Sequence, residues 1–184
     1  MRINNYRFNK DFMRKLIGQK FNEYRHKKFT FNNSVSQNCY FKVNNINYEI
    51  FNDYQELDYL GIDDEATIWN IHEVKENNLL DNSDNCVFTI NENIKSIDVI
   101  EDCLMMIKAD EVQYKFYETR AIIFYFEDFE IAFEKDDCPF SFEIYIYKGH
   151  DLANKIYNNK TFASDYPNSD KSSMKLEREI IHLD

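Results

Sequence analysis

Asp63, Glu73 and Lys75 stand in an order, Asp and then ten residues later Glu-x-Lys, in which two carboxylates can hold Mg²⁺ while a lysine assists attack of water on a phosphodiester. A hydrolase of that kind also needs a basic groove for its substrate, and the flanking residues supply none. A chain that is 30% charged produces such a trio by chance, so the plainer reading is a solvated strand end. Four histidines, His26, His72, His150 and His182, each lack a convincing partner nearby in sequence, and there is no H-E-x-x-H, Gly-rich phosphate loop or G-x-S-x-G. With three glycines, a phosphate cradle made by close backbone approach is hard to build, which disfavours nucleotide-dependent catalysis. Cys39, Cys86, Cys103 and Cys138 occur singly, and read as reduced thiols, most of them packed as small hydrophobes, rather than as a zinc site. Cys138 follows Asp136 and Asp137, whose charges make its thiol a poor nucleophile. The polar run from Asp81 places Glu92 at the twelfth position of a calcium loop, but Cys86 occupies the sixth, where glycine is required. The expectation is a chain that is not an enzyme and carries no cofactor or metal.

Glu127, Asp128, Glu130, Glu134, Asp136 and Asp137 lie within eleven residues, where their like charges repel, and Tyr145, with Tyr125 and Tyr147, offers the aromatic anchors that interfaces favour. These residues are the expected binding surface for a basic protein partner; an ordinary solubilising surface is the bland alternative. The net charge of -11 is unevenly spread: residues 1–44 carry ten Lys or Arg against two acids, and the remainder carries twelve against thirty-one. Nucleic acid is therefore an unlikely partner for the acidic body. The basic leader, residues 1–28, lies across that body in the plainest reading. An acidic partner or second subunit, and nucleic acid or an anionic membrane, are the other readings.

The elements that must position these residues follow from periodicity. Asn9 caps a helix predicted over Lys10 to Tyr24, with Phe12, Leu16, Ile17, Phe21 and Tyr24 along one stripe. Tyr40 to Val43 and Tyr48 to Phe51 read as short strands between Asn-rich turns, Tyr54 to Leu60 as one helical turn, and Ala66 to Val74 as a strand. From Ile94 to Tyr147, short β-branched and aromatic runs with charged punctuation predict six strands of an antiparallel meander: Ile97 with Val99, Cys103–Ile107, Val112–Tyr117, Ala121–Phe126, Phe129–Phe133 and Phe142–Tyr147. Alternation over Phe129 to Glu134 places Glu130 and Glu134 on one face, expected to be wet and negative. His150 to Tyr157 is a short helix candidate, residues 158–173 a loop, and the remainder to 184 a terminal strand or helix.

At 184 residues, with sixteen Phe, thirteen Tyr and one Trp, the chain suits a single domain with a real core, 29–157 forming its sheet-rich body. The expected class is α+β: an antiparallel meander with an N-terminal amphipathic helix and one or two short helices. Residues 1–10 lack the apolar core of a secretory signal, and no apolar run reaches membrane-spanning length, so a cytoplasmic protein without membrane contact is expected. The runs from Arg120 to Lys135, Ser141 to Gly149 and Leu176 to Leu183 resemble the small acidic immunity proteins of bacterial toxin systems, over about a third of the chain. That resemblance implies a mixed helix and sheet fold and a non-enzymatic function, binding and blocking a cognate toxin domain. A metal-dependent phosphodiester hydrolase, and an oligomeric structural or phage-associated protein joined through the basic leader, are the alternatives.

Overall fold

The computed structural model describes residues 1–60, 62–75, 85–159 and 172–184. It is mostly β, with strand over 69% and helix over 9%, which corrects the α+β expectation. The elements run β1 Arg2–Tyr6, α1 Lys10–Leu16, β2 Lys20–Lys27, β3 Ser34–Ser36, β4 Asn38–Val43, β5 Ile46–Tyr59, β6 Ile62–Val74, β7 Asn85–Asn93, β8 Ser96–Lys108, β9 Glu111–Tyr125, β10 Glu130–Lys135, β11 Glu143–Gly149, α2 Leu152–Asn158 and β12 Ser173–Leu183. One sheet is ordered β12-β8-β9-β10-β11-β3, with β1 joined to β9; the other is ordered β6-β5-β4-β2-β7. The pairings are antiparallel except that of β1 with β9. β1 and β10 share one side of β9: β1 takes Tyr114–Glu118 and β10 takes Ala121–Tyr125.

The N-terminal helix is short for a local reason. The Asn9 side chain accepts the amides of Asp11 and Phe12, starting α1, and Gly18 at φ +77° turns the chain out of it. Phe21 and Tyr24 then lie on β2, both buried. Their three-residue spacing imitates a helix because β2 is bulged: Phe21 pairs with Val43 and Glu23 with Lys42, so Asn22 is an extra residue between two that face inward. Residues 1–28 are therefore not one amphipathic helix, since β1 enters one sheet and β2 the other. Tyr54 to Tyr59 is likewise strand rather than a helical turn, with Leu60 in the turn that follows, and β5 turns from β4 through Asn44 and Asn45, both at positive φ as a two-residue hairpin requires.

The six short strands of the central block merge into four. Glu101 and Asp102 lie inside β8, and Glu118, Thr119 and Arg120 inside β9, at a bulge where Ile100 pairs with Ala121 and Glu101 with Thr119. What looks like punctuation is a buried ionic network. Arg178 of β12, 7% exposed, meets Asp102 with two hydrogen bonds, Nε to Oδ1 at 2.6 Å and Nη2 to Oδ2 at 2.7 Å. Its Nη1 donates to the carbonyls of Ile156, at 2.9 Å, and Asn159, at the end of α2. Arg120 meets Glu134 at 2.8 Å, and burial works against its charge, but Glu134, Asp102 and Asp137 hold its pKa above the ordinary value. Lys135, also buried, pairs with Glu118 at 3.3 Å.

The main core lies between the two sheets: Phe21, Phe41, Ile50 and Trp69 from one, Val99, Ile122, Phe124 and Phe133 from the other, and Met13 and Leu16 of α1. β6 buries both faces. Trp69 enters the main core, and its indole N–H donates to the Thr119 carbonyl at 2.6 Å, while Ala66 and Ile68 join a second cluster with Leu104 and Phe116. On the outer face of the larger sheet, Ile100, Ala121, Ile123 and Ala132 are covered by Leu152, Ala153 and Ile156 of α2. No described helix is long and apolar enough to cross a membrane.

The Arg178 network yields a stability prediction. Arg178→Met leaves Asp102 buried and unpaired, and is expected to lower the unfolding free energy by about 3–5 kcal/mol in urea titrations. The double variant Asp102→Leu with Arg178→Met should recover most of that loss, because neither charge is then stranded.

Candidate functional site

The sequence-predicted acidic surface is distributed among local tasks. Glu127 is at an exposed turn, ion-paired with Lys95, and Asp128 is exposed beside it. Glu130 accepts the backbone N–H groups of Asp151, at 3.0 Å, and Leu152, at 2.7 Å, and so holds the start of α2. Glu134 is buried against Arg120 and hydrogen-bonded to Tyr147. Asp136 accepts from the Cys138 amide at 3.1 Å and the Ser141 hydroxyl at 2.8 Å, fixing the 136–141 loop. Asp137 is half-buried, close enough for Arg120 to feel its charge. Tyr145 stacks on Tyr147 with 6.3 Å between centroids; burial first, then Asp136 and Glu143, raises its phenol pKa.

The face of β10 expected to be wet and negative is thus covered by α2 and neutralised by Arg120. The alternation itself holds, since Ile131 and Phe133 enter the main core. Reversing Glu130 or Glu134 would uncap α2 or strand Arg120, so neither substitution isolates an effect on a partner.

The hydrolase trio is not assembled. Asp63 pairs with Asp58 near one end of β6, and Glu73 pairs with Tyr48 near the other. Ten residues of strand at about 3.3 Å each put them about 33 Å apart. Among the described residues, no three His, Cys, Asp or Glu side chains form a group able to hold a metal ion. Of the calcium-loop candidate, residues 81–84 lie outside the described residues, and the rest, through Glu92, is in β7. Cys39 and Cys103 are buried, and burial pushes both thiols up, which makes them poor nucleophiles.

Two carboxylate-centred clusters were not legible as motifs. Asp98 accepts from the Tyr125 hydroxyl at 2.6 Å and meets His182 Nδ1 at 2.6 Å, across the register that pairs β12 with β8. Burial and then Asp98 push the Tyr125 phenol well above its ordinary value. Glu49 accepts from Tyr40 at 2.8 Å and Asn38 at 2.9 Å and lies 3.2 Å from His72 Nε2. Folding the sequence as a hairpin about Leu60 would have placed Glu49 opposite His72, whereas His182 and Asp98 are 84 positions apart. Each carboxylate can orient its imidazole, but no described nucleophile is hydrogen-bonded to either ring.

Two clefts remain. One, about 280 Å³, includes Glu101, Cys103, Tyr117 and Glu177. Its buried Glu101 is met by Arg7 at 3.2 Å and Lys10 at 2.8 Å, and Arg7 lies 4.6 Å from the Tyr117 ring centre. With Arg2 on Asp58, these contacts lay part of the basic N-terminal region across the acidic body. The other cleft, about 530 Å³, is lined by Glu56, Leu57, Asp58, Asp63, Asp64 and Glu65 at the far end of the β5–β6 hairpin. There Glu56 sits directly opposite Glu65, and Asp58 opposite Asp63. Like charges placed so are destabilising. Arg2 is in ion-pair contact with this group, at 2.6 Å from Asp58.

No known protein family, curated protein or solved structure matches the chain.

The buried His26 supplies a pH prediction. Its Nδ1 donates to the Lys27 carbonyl at 2.5 Å, its Nε2 is buried without a hydrogen-bond partner, and burial lowers its pKa. The unfolded chain takes up this proton near about 6.5 and the folded chain only at lower pH. The unfolded state then binds more protons, so stability is lost as pH falls from about 6.5 toward the lowered value. Urea midpoints should drop between neutral and mildly acidic pH, and His26→Phe, which keeps a ring in the stack, should remove that component.

Proposed function

We propose that this chain is a non-enzymatic binding protein that takes a basic protein partner on the acidic far end of its β5–β6 hairpin. Binding and neutralising such a partner is the kind of work done by the immunity proteins it resembles. The observation that supports this reading is the directly opposed pairs Glu56 with Glu65 and Asp58 with Asp63, which gather carboxylates at one end of the hairpin. Opposed carboxylates weaken a two-stranded segment, whereas a basic partner converts the same charges into attraction and a faster encounter. Between Glu56 and Glu65 a basic partner would turn that repulsion into attraction. The clustered carboxylates of residues 127–137 contribute less, because capping, ion pairing and burial already occupy most of them.

The reading has two checks. In the free protein, Glu65→Gln removes one repulsion and should raise stability by about 0.2–1 kcal/mol, read as a higher urea midpoint. For the partner, affinity capture from native cells with the intact chain and with an Asp63→Lys, Glu65→Lys chain as baits should recover a basic protein that rising salt and the charge reversal both release. A captured protein that is acidic, or held equally by both baits at all salt concentrations, contradicts the proposal.

A further inference from the structure

Two open sheets have edges, and each edge presents main-chain groups that invite another strand. The edges here are protected unequally. β12 carries Lys175, Glu177, Arg178 and Glu179. β6 carries Asp63, Asp64, Glu65 and Glu73, and its Thr67 amide donates to the Pro139 carbonyl at 2.7 Å. β3 is three residues long and β1 five. β7 has the least protection: from Cys86 to Asn91 it holds neither charge nor proline, and Val87 and Phe88 are 50% and 40% exposed. Among the described residues its one strand partner is β2. Its bulge falls between Thr89 and Glu92, leaving Asn85–Thr89 in regular register. The apolar strip continues around the rim, where Phe29 stacks on His26 at 4.5 Å and His26 on Phe88 at 5.2 Å.

We propose that β7 is a dimer interface at which two copies pair antiparallel about a two-fold axis, joining two five-stranded sheets into one of ten strands. Self-pairing of this kind closes on itself and covers the same edge in both copies at once. Charge also selects this edge. At a net charge of -11 the copies repel over much of their surface, but β7 has a single acid, Glu92, and lies beside β2, where Lys20 and Lys27 accompany the ion pair of Arg25 with Glu23. Antiparallel pairing brings each Glu92 toward the Asn85 end of the other copy, and Lys27 is the β2 residue opposite Asn85. The uncharged stretch from Cys86 to Asn91 thus meets its own kind, with Glu92 near the neighbouring strand's Lys27.

Sedimentation velocity of the full chain, from low micromolar to several hundred micromolar, tests this. The mass is expected to rise from monomer to twice the monomer and stop there, with the Val87 and Thr89 amides slower to exchange at the higher concentrations. Val87→Glu and Thr89→Lys each place a charge at an exposed edge position, opposite Arg25 and Glu23 of β2 respectively, so the fold is expected to be retained, with circular dichroism and Tm as the check. Each substitution is expected to weaken dimerisation by about tenfold or more. A monomer over the whole range, a dimer that both substitutions leave unchanged, or assembly that grows past the dimer overturns the proposal.

Discussion

Buried arginines that need carboxylates organise the larger sheet. Arg178 joins β12 to β8 through Asp102 and gathers the last carbonyls of α2, while Arg120 joins β9 to β10 through Glu134. The two pairs oppose two positive charges with two negative ones, the condition under which buried ions are tolerated. A helix end leaves its last carbonyls without intrahelical partners, and Arg178 donates to two carbonyls at this one, those of Ile156 and Asn159. Apolar contact from Leu152, Ala153 and Ile156 fixes which face of α2 turns inward, and the guanidinium fixes where the helix stops.

The same residues explain what could be read from the sequence. Period-two alternation survives wherever one face is apolar, as in Phe129 to Phe133, and the asparagines before Ile46 announce their turn. Polar residues inside long strands defeat the reading, because Glu101, Asp102, Glu118 and Arg120 look like boundaries unless their partners are known, and those partners come from distant strands. β2 fails for another reason. A bulge adds one residue to a period of two, and the resulting interval of three is shared with a helix. The Asn9 cap was legible because it is a local hydrogen-bond pattern; the seven-residue length of α1 was not, since a glycine is a weak stop signal until its positive φ is known.

Charge density along a chain is a poor guide to charge density on a surface. Six acids within eleven residues look concentrated, yet Glu130 serves a helix amide, Glu134 an arginine and Asp136 a loop. The hairpin acids belong to two sequence runs, 56–58 and 63–65, which become one group when the hairpin closes. Tertiary pairing disperses the first set and concentrates the second. The two histidine–carboxylate contacts follow the same logic, because directly opposed positions on neighbouring strands bring together residues that sequence proximity never would.

The parallel pairing of β1 with β9 bears on how the chain folds as it is made. Every strand of the five-stranded sheet falls within residues 20–93, so that sheet can assemble while the rest is still being translated. β1 emerges earlier but must wait for Tyr114–Glu118. At synthesis rates of about 5–20 residues per second, that delay is on the order of 5–20 s. A nascent chain thus carries an unpaired strand tethered to a nearly finished half, and the larger sheet closes around it last.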